Sequence, residues 1–107
     1  PVPDYGDITG QRRNYTALSA DLWYIYDNYF YPTSVDNDVK TYCKVLELCG
    51  FEFESERELS EYATTQSASI TYRYKNTPLR VLIIREVWNR TASKEYTVRV
   101  YPFYGNY

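Results

Sequence analysis

The chain has 107 residues, 44% of them apolar and 24% charged, with a net charge of −2. That length carries one hydrophobic core and one domain, while no apolar run approaches the roughly 20 residues of a membrane-spanning helix and the apolar share is too high for a disordered chain. It holds 14 tyrosines but no histidine and no methionine, which excludes histidine-dependent triads, imidazole metal ligands and paired-histidine acid–base chemistry.

Residues 1–13 include Pro1, Pro3, Gly6 and Gly10, which interrupt helix and strand alike, so an extended N-terminal arm is expected there and a single α+β domain over 14–107. The missing methionine implies a start after removal of an initiator residue, a leader or a longer precursor. From Tyr15 onward Leu18, Leu22, Ile25 and Tyr29 recur every three or four residues, which predicts a first helix ended by Pro32. Trp23 and Phe30 lie off its core stripe and offer a second patch.

A second helix opens near Ser34, where Asp36 and Asp38 suit the positive end of the helix dipole. Val35, Val39, Tyr42, Cys43, Leu46 and Cys49 share one face, and Gly50 supplies the stop. Two helices joined by Tyr31, Pro32 and Thr33 are expected to pack antiparallel. Cys43 and Cys49, six positions apart on a helix, stand about 9 Å apart at a rise of about 1.5 Å per residue, beyond the roughly 7 Å reach of a disulfide. Two reduced, buried thiols are therefore expected, and with them a cytoplasmic or host-intracellular location. The sequons at Asn14 and Asn89 leave a secreted origin open.

Ser55 and Glu58 have capping-box spacing, which allows a short third helix through Leu59 and Tyr62. From Ser69 the period becomes two: Ile70, Tyr72 and Tyr74 alternate with Thr71, Arg73 and Lys75. Asn76, Thr77 and Pro78 make a turn, a strand runs from Leu79 to about Trp88, and another carries Tyr96, Val98 and Val100, with Pro102 confining it to an edge or its end. The expected fold is α+β: two antiparallel helices, with or without the short third, on one face of an antiparallel three- to four-stranded β-meander.

Charge divides along the chain, −7 over residues 1–69 and +5 over 70–107, so a positive sheet under a negative helical layer is expected. Alternation sends Ile70, Tyr72, Tyr74, Leu79, Val81, Ile83, Val87, Tyr96, Val98 and Val100 toward the helices. It sends Arg73, Lys75, Arg80, Leu82, Ile84, Trp88, Arg99, Tyr101 and Phe103 outward. Leu82 and Ile84, each worth about 1.5–3 kcal/mol when buried, call for a cover: another part of the chain, a second copy or a partner.

No motif carries chemistry. Gly6 and Gly10 lead into Gln11, Arg12 and Arg13 rather than a phosphate loop, two cysteines are too few for a zinc site, and Glu52, Glu54, Glu56, Glu58 and Glu61 read as a solvated face. The reading is therefore non-enzymatic, with no catalytic residue, metal or cofactor and no membrane association. It is a small protein-interaction module of inhibitor, immunity or effector type, suited to a virus, mobile element or pathogen. It acts as monomer or homodimer and binds a dedicated protein through Arg73, Arg80, Trp88, Arg99 and Tyr101, since tyrosine, tryptophan and arginine dominate interface energetics. The alternative is single-stranded nucleic acid laid on the same outer sheet face.

Overall fold

Alternating apolar and polar residues fill the second half of the chain, and they form strands. The computed structural model describes residues 1–14, 24–62, 65–89 and 93–105, at 59–62 the backbone only. Strands β2 (Phe51–Tyr62), β3 (Thr65–Tyr74), β4 (Leu79–Asn89) and β5 (Lys94–Tyr104) form a meander. A fifth strand, β1 (Tyr24–Tyr29), pairs antiparallel with β5 and gives the order β1-β5-β4-β3-β2. The helices among the described residues are α1 (Tyr5–Thr9) and α2 (Pro32–Leu48).

The α+β class, the meander and the second helix match the sequence reading. Pro32, expected to end a helix, instead begins α2 at its first turn, where a missing N–H is harmless. Val35, Val39, Tyr42 and Leu46 of α2 are buried. They meet Val81, Ile83, Val98 and Val100 on the sheet face assigned to the helices. Gly50 takes a φ of 96° and turns the chain into β2, a conformation that favours glycine.

Three expectations fail. Residues 24–29 are strand rather than helix: Tyr24, Tyr26 and, past a bulge, Tyr29 face Val100, Val98 and Tyr96 of β5. The rest of that expected helix, with Leu18, Leu22 and Trp23, lies outside the described residues. The two helices therefore do not form an antiparallel hairpin. Nor do residues 55–62 form a third helix. They continue β2, because pairing with β3 satisfies a whole strand of backbone groups where a helix of about two turns would satisfy few.

The third correction is the N-terminal arm. Asp4 caps α1 by accepting from the Asp7 amide at 3.0 Å, and Gly10 ends the helix with a φ of 79°. The turn drives Tyr5 into the core at 1% exposure. Its ring packs on Tyr26 and Tyr42 at centroid distances of 4.6 and 5.1 Å, so the segment is part of the domain.

Cys43 and Cys49 are both free, as the spacing predicts. Cys49, however, is exposed, because it caps the helix beyond the last buried turn.

Candidate partner-binding face

Cross-strand register places Arg73 opposite Arg80, Arg80 opposite Phe103, Leu82 opposite Tyr101 and Ile84 opposite Arg99. Directly opposed residues share a face, so Arg73, Arg80, Arg99 and Tyr101 all stand on the side away from the helices, as alternation predicts. Arg73, Arg80, Tyr101 and Phe103 gather around Leu82. Trp88 stands apart, two cross-strand pairs beyond Ile84. The Tyr101 and Phe103 rings stack, 5.3 Å between centroids and 11° between planes. Leu82, Ile84, Trp88, Tyr101 and Phe103 are each half-buried. Tyr5 of α1 and Val35, Val39, Tyr42 and Leu46 of α2 are buried against the other face.

The cations are not bare. Arg80 donates from Nε to both Glu54 carboxylate oxygens at 3.0 and 3.1 Å, and from Nη1 to the Pro78 carbonyl at 3.3 Å. Arg73 reaches the same carboxylate at 3.9 Å. Arg99 is paired with Glu86. Arg80 is only 8% exposed, and Gly105 lies so close over it that a Cβ there would sit 3.0 Å from the guanidinium carbon. The predicted outer face thus contains one sequestered arginine and two half-exposed, partnered ones.

Glu54 and Glu86 belong to this face and escaped the sequence reading for different reasons. Glu86 follows Leu82 and Ile84 in plain alternation, so its side was legible. Glu54 was not, because a bulge between Phe53 and Ser55 breaks the period of β2.

The same correction relocates the charge. With Glu52, Glu54, Glu56 and Glu58 on the edge strand β2, the sign changes within the plane of the sheet, from an acidic edge to a cationic centre, rather than from sheet to helices. The two regions are joined by Glu54 with Arg73 and Arg80, and Asp36 of α2 meets Arg85 of β4 at 2.8 Å.

On the helix side, hydroxyls form a buried chain: Tyr5 to Tyr29 at 2.5 Å and Tyr29 to Asp38 at 2.8 Å. Tyr42 donates to the Pro3 carbonyl at 2.8 Å. Burial pushes the Tyr5, Tyr29 and Tyr42 phenols above their ordinary range, and it pushes the Cys43 thiol up as well. Such groups are poor nucleophiles and bases at neutral pH. Among the described residues no cluster of three or more acids or cysteines is placed to hold a metal ion, and no helix is long and apolar enough to cross a membrane. The second patch expected from Trp23 and Phe30 is only half visible: Phe30 is 75% exposed, and Trp23 lies outside the described residues. Comparison with protein-family models, with characterised proteins and with solved structures finds no match.

Proposed function

We propose that this protein is a non-enzymatic interaction module that engages a dedicated protein partner through the outer face of its sheet, as an intracellular inhibitor, immunity or effector protein would. The observation that carries the reading is the stacked Tyr101–Phe103 pair beside Leu82 and Ile84, on the side away from both described helices. A half-buried aromatic centre rimmed by arginines has the composition of an interface hot spot. Trp88 and Arg99 extend that centre along the strands. Arg73 forms its rim, and Arg80 supports it from beneath by fixing Glu54.

The paired carboxylates favour a protein over nucleic acid. Three arginines against Glu54 and Glu86 leave one net positive charge, whereas a phosphate-tracking surface presents unpaired cations. The test is capture from the native host with wild type and with the Trp88→Ala, Tyr101→Ala double variant. A partner lost with the variant supports the reading, and equal recovery from both removes it. A labelled single-stranded oligonucleotide at about 50 mM salt, where phosphate attraction is strong, should not bind. Binding abolished by Arg73→Glu with Arg99→Glu would establish the nucleic-acid alternative instead.

A further inference from the structure

The two edges of the sheet differ. In β1 the chain's own Asn14 amide takes up the Ile25 carbonyl at 2.7 Å. The other edge is β2, a strand of 12 residues whose only strand partner among the described residues is β3, and residues 52–58 are exposed without interruption. An open strand edge is a row of backbone donors and acceptors that another extended chain can complete.

Charge decides which chain fits. Between the bulges at Phe53/Ser55 and Glu58/Ser60 the register of β2 is regular. Glu56 opposes Ile70 and Glu58 opposes Ala68, which sets both carboxylates on the helix side, while Arg57 opposes Ser69 on the outer side. Among the described residues neither Glu56 nor Glu58 has an ion-pair partner. The cations behind them do not cancel them. Arg85, Lys40 and Lys44 line the same clefts as Asp36 and Glu47, three positive charges against two negative, which sets +1 against the −2 of Glu56 and Glu58.

From this arrangement we infer that the β2 edge accepts an extended basic segment of another protein as an added strand, with lysine or arginine at i and i+2 opposite Glu56 and Glu58. The spacing follows from the strand period: residues two apart share a face, and the residue between them, opposite Arg57, is uncharged or acidic. An added strand stands about 4.8 Å from β2, so side chains opposite the two carboxylates lie within ion-pair reach. Backbone hydrogen bonds supply the affinity and the charge pairs supply the register. A second copy of this chain is disfavoured by the same residues. Two β2 strands related by a twofold axis over this stretch set Glu56 against Glu58, or one of them against itself, and like charges directly opposed destabilise a pair. The surface is the rim of the sheet and shares nothing with the contact around Tyr101.

The test is fluorescence anisotropy of a labelled hexapeptide alternating lysine with threonine, titrated with the full chain at salt of about 50 mM and about 150 mM. The lysine peptide should bind. The same peptide with every backbone amide N-methylated carries equal charge and no backbone donor, and it should bind at least about tenfold more weakly, as should a glutamate–threonine peptide and the Glu56→Lys, Glu58→Lys variant toward the lysine peptide. Hydrogen exchange at the amides of residues 55–58 should slow when the lysine peptide saturates the protein. No binding, equal affinity for the methylated peptide, or an unaffected variant would each overturn the inference. So would a wild-type dimer, seen by sedimentation, whose exchange protection covers residues 55–58. Far-ultraviolet circular dichroism of the variant, expected to match wild type because both positions are exposed, separates loss of the edge from loss of the fold, and the methylated peptide is read on wild type alone.

Discussion

Tyr5 donates its hydroxyl hydrogen to Tyr29, 24 positions further along the chain, because Tyr29 has already committed its own hydrogen to Asp38. The order of donors makes Tyr29 the hinge of the network. Tyr29→Phe strands a buried hydroxyl and removes a donor from Asp38, and should cost about 1–3 kcal/mol. Tyr5→Phe removes only the first donor and should cost about 1 kcal/mol. Urea denaturation followed by tyrosine fluorescence measures both, and a Tyr5 variant as damaging as the Tyr29 variant would reverse the assigned direction.

The same phenols make alkali the vulnerable limb of the stability curve. Burial raises Tyr5, Tyr29 and Tyr42 above the value of about 10 that an unfolded tyrosine shows. Their contribution is therefore complete below pH 10 and is lost as pH climbs beyond it. Each phenol ionised only in the unfolded chain removes about 1.4 kcal/mol per pH unit. Tyrosinate absorbance should rise in two stages: a gradual one from exposed rings, then a cooperative one coincident with loss of circular dichroism. A single smooth titration with the fold intact would contradict the burial.

Removing residues 1–10 tests whether the N-terminal segment is an arm or a part of the core. Tyr5 is 1% exposed and packs on Tyr26 and Tyr42, so the truncated chain should lose at least about 3 kcal/mol, in the range of an aromatic truncated in a core. Pro1→Ala, at an exposed position, should leave stability within about 0.5 kcal/mol of wild type.

Glu54→Ala should cost about 2 kcal/mol, because it leaves the nearly buried Arg80 guanidinium with the Pro78 carbonyl as its remaining described partner. The figure sits below that of a fully buried pair because the Glu54 side chain is 34% exposed and solvent screens part of the interaction. Glu86→Ala, which frees the more exposed Arg99, should cost less. Thermal denaturation of the two variants side by side checks the order.

The cysteines should separate by rate. Cys49 is exposed and should react within minutes with a thiol reagent at pH 8. Cys43 is half-buried with its thiol pushed up by burial, so it should react slowly until denaturant is added. Two equally slow thiols would return the molecule to the expectation drawn from the sequence.

What could be read in advance depended on whether a segment's period survives into the structure. In β4 no bulge interrupts the register from Leu79 through Val87, so the strict two-residue period sends Val81 and Ile83 inward and Arg80, Leu82 and Ile84 outward. At Tyr24–Tyr29 a bulge places Tyr29 three positions after Tyr26 on the same face, a spacing that mimics a helix. The richness in tyrosine and isoleucine was the missed strand signal there. Residues 55–62 misled through a local capping pattern that loses to long-range pairing with β3, an energy no short window contains. The arginine face was legible for the first reason, and its carboxylate partner Glu54 was hidden by the second, a bulge between Phe53 and Ser55.

Because β1 completes the sheet against β5 rather than against anything near it in sequence, the first of the described strands to leave a ribosome is left waiting for the last of them. The hairpins of the meander can close locally, but Tyr24 has no seat until Val100 arrives. A low-cost nucleus in the second half, followed by a slow return of the first, is the folding order this topology imposes. During that delay the tyrosine-rich N-terminal region must be kept from other chains.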